Sequence, residues 1–320
     1  MPFLKDALDP KKTSAKDRNA AFDTYFRFQH ACWKGLKRAF DERGLKLMYA
    51  PTHGPCNYNP GGNNRPLLEN LLAAAARQGF KYDFIATHTY HAIDGSVLGK
   101  HDRDANADAL YACLKRFGYP DSTPIMFSEG FNMLPFYIPA WRATGWADDY
   151  YGQPPSEDLG AREFLQAATM ARLYVMDLKR WPRVMTSHTW QHRPVLDARL
   201  APYMWTKVPN TLGHLLGDPR FHGQVVREGW RAYVFCQGDH AVAAVWANAA
   251  DVENGLKPGP TLLVKLPSDV QFYDLMGNCR RAERKMDGRA VVPLTAAPLF
   301  VTTKEAAELA RAFDAAEILL

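Results

Sequence analysis

The sequence lacks the marks of several functional classes. No apolar run approaches the ~20 residues that a membrane helix needs, and Met1 to Lys12 has none of the basic-then-apolar layout of a secretory leader. Cysteine is scarce. The five residues Cys32, Cys56, Cys113, Cys236 and Cys279 are an odd number, widely spaced and without a C-x-x-C pair. Neither a zinc ribbon nor a disulfide framework is indicated, and buried free thiols are expected. Charge of one sign is missing too. Lys plus Arg total 39 against 34 for Asp plus Glu, and the densest basic cluster, Arg280 to Lys285, carries Glu283 inside it. Without a clustered basic stripe, nucleic acid is not an expected partner, and no membrane is either. There is no H-E-x-x-H and no strand-borne His-x-His, although His88, His91, His188 and His192 lie near two strand ends. A metal site is therefore not expected. Ser128 is not in a G-x-S-x-G elbow, which argues against serine hydrolase chemistry.

What is present is ordinary globular material. The 320 residues are 47% hydrophobic and 23% charged, enough for one large domain or two ordinary ones with a sizeable core. Up to about Lys179, strand-length apolar runs alternate with helical patterns. Helices are predicted over Phe22–Arg43, Arg65–Gln78, Asn106–Phe117 and Ala161–Lys179, with Gly44, Gly79 and Gly118 as stops. Strands are predicted over Leu45–Ala50, Tyr82–Thr89, Pro124–Ser128 and Val184–Trp190. Alternation of this kind implies a parallel sheet with right-handed crossovers, whose binding face is the end where strands run into their following loops. From about Phe221 to Thr303, short strand-like runs and Gly-containing turns predict an antiparallel sandwich. Lys304 to Leu320, rich in Ala, Glu and Leu, reads as a terminal helix.

The sharpest local signal is Pro124-Ile-Met-Phe-Ser-Glu129-Gly130. Four apolar or small residues make a buried parallel strand, a carboxylate stands at its C-terminal end, and a glycine lets the chain turn away. A carboxylate held so rigidly suits nucleophilic attack at a sugar's anomeric carbon. A surface Glu opening a loop is the bland alternative. In Tyr82–His91, alternation sets Phe84, Ala86, His88 and Tyr90 on one face, so that His88 and Tyr90 reach the same mouth. Ser187-His188-Thr189-Trp190 closes the last strand, where a Trp can floor a sugar subsite by stacking. His53, after the first strand, can donate a hydrogen bond to a hydroxyl. The loop Phe131–Tyr151 is rich in aromatics, Trp141 among them, and either packs on itself or walls a cleft.

These residues resemble clan A retaining glycoside hydrolases. Tyr82–Tyr90 resembles that clan's sixth strand, which ends His-x-Tyr. Ile125–Gly130 resembles the seventh, which ends in the nucleophilic Glu, and Val184–Trp190 the eighth. The stretch from Asn210 to Phe221, followed by Phe272-Tyr-Asp-Leu-Met-Gly-Asn278, resembles the β-sandwich appended to several of its families. The resemblance implies an α/β plus all-β chain: a partial (β/α)8 barrel of strands five to eight over residues 1–218, a β-sandwich over 219–303 and a C-terminal helix over 304–320. It implies Glu129 as nucleophile, with His53, His88, Tyr90, His188, Trp190 and Trp141 lining the subsite, a carbohydrate substrate and no cofactor.

One departure stands out. The clan's acid/base is the Glu of an Asn-Glu pair after strand four. Here that pair occurs only reversed, as Glu69-Asn70 and Glu253-Asn254. Leu4–Lys16 resembles the loop following strand four. The implied protein is the C-terminal portion of a longer enzyme, whose partner is a missing N-terminal half-barrel and whose compartment the sequence does not reveal. Asp83 lies at the wrong end of its strand to serve, and Glu157 and Glu163 lie in or after the long loop. The alternative reading is a non-catalytic carbohydrate-binding protein that keeps the aromatics without the acid/base.

Overall fold

A computed structural model describes residues 12–51, 65–88, 103–129, 159–186, 204–248 and 258–319. The chain groups into two compact units. One comprises Met1–Ala92, Asp104–Gly130 and Pro182–His188; the other Ile93–Arg103, Phe131–Trp181 and Thr189–Leu320. Each unit draws on segments far apart in the chain.

In the first unit, α1 (Ala15–Asp41) opens on Ser14, whose hydroxyl accepts the Asp17 N–H at 3.1 Å and so satisfies one donor of the first turn. Gly44 stops the chain beyond it with φ +67°, a left-handed conformation that favours glycine. Helix α2 (Arg65–Arg77) follows, and Arg77 pairs with Asp23 of α1 at 2.6 Å. Three parallel strands come next in register: β1 (Ile85–His88), β2 (Ile125–Glu129) and β3 (Val184–Thr186), in the order β1-β2-β3. Helix α3 (Arg103–Arg116) joins β1 to β2. Phe22 and Phe26 of α1, Leu68, Leu71 and Leu72 of α2, and Leu110 and Leu114 of α3 share one core with Ile85, Ile125, Phe127 and Val184. Each such side chain contributes about 1.5–3 kcal/mol when fully buried. The predicted helices and the parallel, right-ordered strands therefore form.

The predicted strand Leu45–Ala50 does not. Its residues carry no strand pairing, and the following strand begins only at Ile85. The reason is Asp83. Its N–H donates to the Tyr49 carbonyl at 2.8 Å, while its carboxylate accepts the Tyr49 N–H at 2.7 Å. That two-way bridge occupies both backbone groups of Tyr49 at a bend, and the ladder stops there. Asp83 is thus a structural residue.

Tyr49 also belongs to an aromatic cluster. The His30 ring stacks on Phe26 and Trp33, each 5.4 Å away, and meets Phe80 edge-on at 4.7 Å. Burial, helped by Lys34, holds the His30 imidazole below its ordinary value, and burial pushes the Tyr49 phenol up to about 12. The unfolded chain therefore takes up the His30 proton before the folded one does. The linked stability is complete above the ordinary value of 6.5 and declines as pH falls through it. Urea midpoints are expected to drop between pH 7 and 5, and His30→Phe should flatten that slope; an unchanged slope would show that His30 is not its source.

The second unit begins with α4 (Leu159–Leu178), a 3-10 turn (Met204–Lys207) and α5 (Val208–Leu215). Six strands then form one antiparallel sheet: β4 (Arg220–Arg227), β5 (Trp230–Gln237), β6 (His240–Ala247), β8 (Gln271–Tyr273), β9 (Cys279–Arg280) and β12 (Leu299–Thr303), ordered β4-β5-β6-β12-β8-β9. Four more form a second: β7 (Thr261–Val264), β10 (Glu283–Arg284), β11 (Ala290–Pro293) and β13 (Glu317–Leu319), ordered β10-β11-β7-β13.

Strands β5 and β6 are buried on both faces. Ala232, Val234, Ala243 and Val245 share a core with Leu262, Val264 and Val292 of the smaller sheet. Their alternates Tyr233, Phe235, Ala244 and Trp246 share another with Ala167, Ala171 and Val175 of α4 and Leu212 of α5. Period two in the strands and period 3.6 in α4 produce this helix–sheet–sheet layering. The Asp274 carboxylate ties the turn after β8. Burial alone would raise it, but donors from Asn278, Arg280 and Met276 outweigh burial and hold it below the usual carboxylate range.

The terminal helix is shorter than predicted. It covers Ala306–Asp314 as α6, and residues 317–319 pair as β13 alongside β7 rather than continuing it. Leu262 and Leu263 offer that edge, and a β-ladder satisfies the last backbone groups better than an exposed helical turn. Gly259 shows how tightly the smaller sheet begins, since a Cβ there would lie 2.2 Å from the Leu294 carbonyl oxygen. Gly259→Ala should cost about 1–3 kcal/mol through backbone displacement, read from denaturant unfolding; an unchanged midpoint would show that the β7–β11 junction yields freely.

Candidate functional site

The parallel sheet of the first unit brings two of the predicted site residues together by backbone register. Ile85 lies opposite Ile125, Ala86 opposite Met126 and Thr87 opposite Phe127. The register then shifts, and His88 lies opposite Glu129. One extra β2 residue, Ser128, is accommodated at that step.

This irregularity bears on which face position 129 takes. Ile125 and Phe127 share the core with the helices. Strict alternation would put position 129 on that same helix-packed side. An inserted residue interrupts the two-residue period at the strand's end and redirects the chain beyond it. The sequence motif supplied the carboxylate and the strand, but it contained no sign of the shift. Ala86 and His88 are both residues of β1, whereas Phe84 lies in a bend before the strand. On β2's other side, Phe127 lies opposite Thr186, so the three C-terminal strand ends lie side by side.

Thr87 and Phe127, one step earlier on the two strands, are buried. His53, Tyr90, Trp141, His188 and Trp190 lie outside the described residues, as do the side chains of His88 and Glu129. Among the described residues no three His, Cys, Asp or Glu side chains converge as metal ligands, and no helix is long and apolar enough to cross a membrane.

Two other clusters were not singled out by the sequence. One is the His30 cluster, which the spacing of Phe26, His30 and Trp33 along α1 would have flagged. The other is a cavity of about 320 Å³ in the second unit, lined by Phe164, Met204, Leu275, Met276, Arg280 and Leu299. Its charged groups Asp274 and Arg280 pair with each other at 2.9 Å, a structural use of both.

No family model and no curated protein sequence matches the chain. Solved structures do. A family 39 glycoside hydrolase from the gut symbiont Bacteroides cellulosilyticus WH2 matches with 13% identity and a TM-score of 0.51, over 73% of this chain and 47% of its own. The family 51 α-L-arabinofuranosidase AbfB from Bifidobacterium longum matches with 14% identity and a TM-score of 0.49, over 92% and 64%. The chain thus spans about half the length of the first structure and under two thirds of the second. The second likeness is too weak to count toward the fold, and identity this low says nothing about chemistry. Over the part it matches, the chain shares the fold of a glycoside hydrolase.

Proposed function

We propose that this chain is the C-terminal part of a clan A retaining glycoside hydrolase, with Glu129 as the nucleophile. In this reading β1, β2 and β3 are the last strands of a (β/α)8 barrel, and the two antiparallel sheets are the appended sandwich. The observation that carries it is the pairing of His88 with Glu129 at the C-terminal ends of parallel strands, across the register shift. The register shift takes Glu129 out of strict two-residue alternation with Ile125 and Phe127, which supports an inward-facing carboxylate in this reading.

The chemistry derives from that placement. The Glu129 carboxylate oxygen bonds to the anomeric carbon as the glycosidic C–O bond breaks, and the leaving oxygen takes a proton from an acid/base carboxyl. Water, deprotonated by that same carboxyl, then cleaves the glycosyl ester. Tyr90 hydrogen-bonds the nucleophile and holds it ionised. His53, His88 and His188 contact hydroxyls, and Trp190 and Trp141 stack on ring C–H faces. Retention needs the two carboxyl groups about 5–5.5 Å apart, and this chain offers one candidate. The acid/base comes from polypeptide N-terminal to it.

The isolated chain should therefore turn over ordinary aryl glycosides weakly or not at all. An N-terminally extended protein should do so at a normal rate. Full turnover by the isolated chain, lost on Glu129→Gln, would keep the nucleophile and overturn the truncation. Glycan binding without turnover in either form would favour the non-catalytic carbohydrate binder.

A further inference from the structure

We propose that the cavity of the second unit is a binding site for an uncharged, two-ring hydrophobic molecule with one oxygen acceptor, its rings in the apolar interior and its acceptor on Arg280. The inference is independent of the glycosidase reading, because all the described lining residues belong to the second unit.

Elements distant in sequence wall the cavity. Phe164 comes from α4 and Met204 from the 3-10 turn. Leu275 and Met276 come from the turn after β8, Arg280 from β9, and Ala297 and Leu299 from the approach to β12 and its first residue. Leu275 and Ala297 are buried in the core that the sheet shares with α4 and α5, and Phe164 and Met204 pack against that core. Met276 and Arg280 are exposed. The cavity therefore runs from an apolar inner end to a mouth at Met276 and Arg280.

The turn that shapes the mouth is held in advance. Asp274 Oδ1 accepts the Met276 and Asn278 N–H groups at 2.9 and 3.0 Å, and Oδ2 accepts Asn278 Nδ2 at 3.1 Å and Arg280 Nη2 at 2.9 Å. Gly277, at φ +81°, faces α5, where a Cβ would lie 3.4 Å from Thr211 Oγ1. Little ordering is left for a ligand to impose, and such preorganisation favours binding.

The same bonds decide what the site recognises. Arg280 gives Nε and Nη2 to Asp274, which fixes the guanidinium plane, and Nη1 makes no hydrogen bond among the described residues. Both Asp274 oxygens are occupied. The Thr295 hydroxyl accepts the Ala297 N–H at 3.1 Å and donates to the Ala297 carbonyl at 3.4 Å. Among the described polar lining one donor, Arg280 Nη1, remains. A sugar would strand most of its hydroxyls here, and an anion would meet the Asp274 carboxylate beside its guanidinium partner. An uncharged ring compound with one acceptor satisfies Nη1 and buries the rest. The volume, about 320 Å³, is roughly twice that of a cavity of about 150 Å³ that takes one benzene, so it suits two fused rings. Met204 and Met276, flexible and polarisable, adapt to the faces of such rings.

The two methionines report occupancy directly. The probe is 1-tetralone, two fused rings with one ketone, titrated into the 320-residue chain carrying carbon-13 methyl methionine. The Met204 and Met276 methyl signals should shift together and saturate with a Kd below about 1 mM. Met286, fully exposed on the turn between β10 and β11, is the internal reference and should not move. Arg280→Leu should weaken binding at least about fivefold. Ala297→Leu and Leu299→Phe fill the cavity by different routes, and each variant that keeps the wild-type circular dichroism should lose the shifts.

Unmoved Met204 and Met276 signals up to the solubility limit of tetralone overturn the proposal. So does a shift of Met286 in step with theirs, which marks non-specific association, and so do shifts that survive in a folded filling variant, which place the ligand elsewhere. Unchanged affinity in Arg280→Leu removes the acceptor contact, and tighter binding of 1-naphthoate, similar in size but negatively charged, assigns the site to an anion; either result overturns the proposed ligand class. None of these outcomes bears on Glu129 or on glycoside turnover.

Discussion

Incubated with a 2-deoxy-2-fluoro glycoside bearing a dinitrophenolate leaving group, the 320-residue chain should gain one fluoroglycosyl group on the peptide containing Glu129. Glu129→Gln should gain none. The chemistry dictates the choice of reagent. A dinitrophenolate departs without a proton, so the first step needs only the nucleophile and proceeds in a chain without the acid/base. Fluorine at C2 destabilises the oxocarbenium-like transition states of both steps, and the good leaving group selectively restores the first. The ester therefore accumulates. Removing the carboxylate should lower the labelling rate by at least about 10³-fold, equivalent to about 4 kcal/mol of barrier. Intact-mass and peptide spectra read the result. Label on Glu157 or Glu163 instead would reassign the nucleophile. Retained glycan binding with no label on any carboxylate would favour the binding-protein alternative.

The largest effect on stability is expected in the second unit. Trp246 is fully buried and stacks on Tyr233 with ring centroids 5.2 Å apart and planes 4° from parallel. It belongs to the core shared by the six-stranded sheet with α4 and α5. Trp246→Ala removes the transfer energy of an indole and leaves a cavity that strands paired on both sides cannot collapse into. The expected loss is about 3–5 kcal/mol, against a total of about 5–15 kcal/mol for a typical domain. Trp246→Phe keeps the stacking and much of the volume and should recover most of that loss. Denaturant unfolding followed by circular dichroism at 218 nm measures both. A loss below about 1 kcal/mol for the alanine variant would show that the helix-side core is loosely packed and that the sheet depends chiefly on its other face.

The order of helices and strands in the first unit was legible in the residues, because local signals determine it. Phe22, Phe26 and Trp33 at helical spacing, Gly44, Gly79 and Gly118 as stops, and the apolar run Ile125-Met-Phe each act over a few residues. Composition and spacing likewise decided that Glu129 stands at a strand's C-terminal end. Three features depended on partners distant in sequence. Leu45–Ala50 has a strand's composition, but the carboxylate of Asp83, 34 residues on from Tyr49, takes the N–H that a ladder would have used. The last residues continue a helical composition, yet the edge of β7 draws 317–319 into a strand. Helix α4 comes after β2 in the chain, yet its apolar face belongs with Tyr233, Phe235 and Trp246. The same holds at the candidate site, where the sequence by itself determined the carboxylate, the imidazole and their strands. Only the tertiary structure decided that His88 pairs with Glu129, because an inserted residue in one strand has meaning only against the neighbour whose hydrogen bonds it displaces.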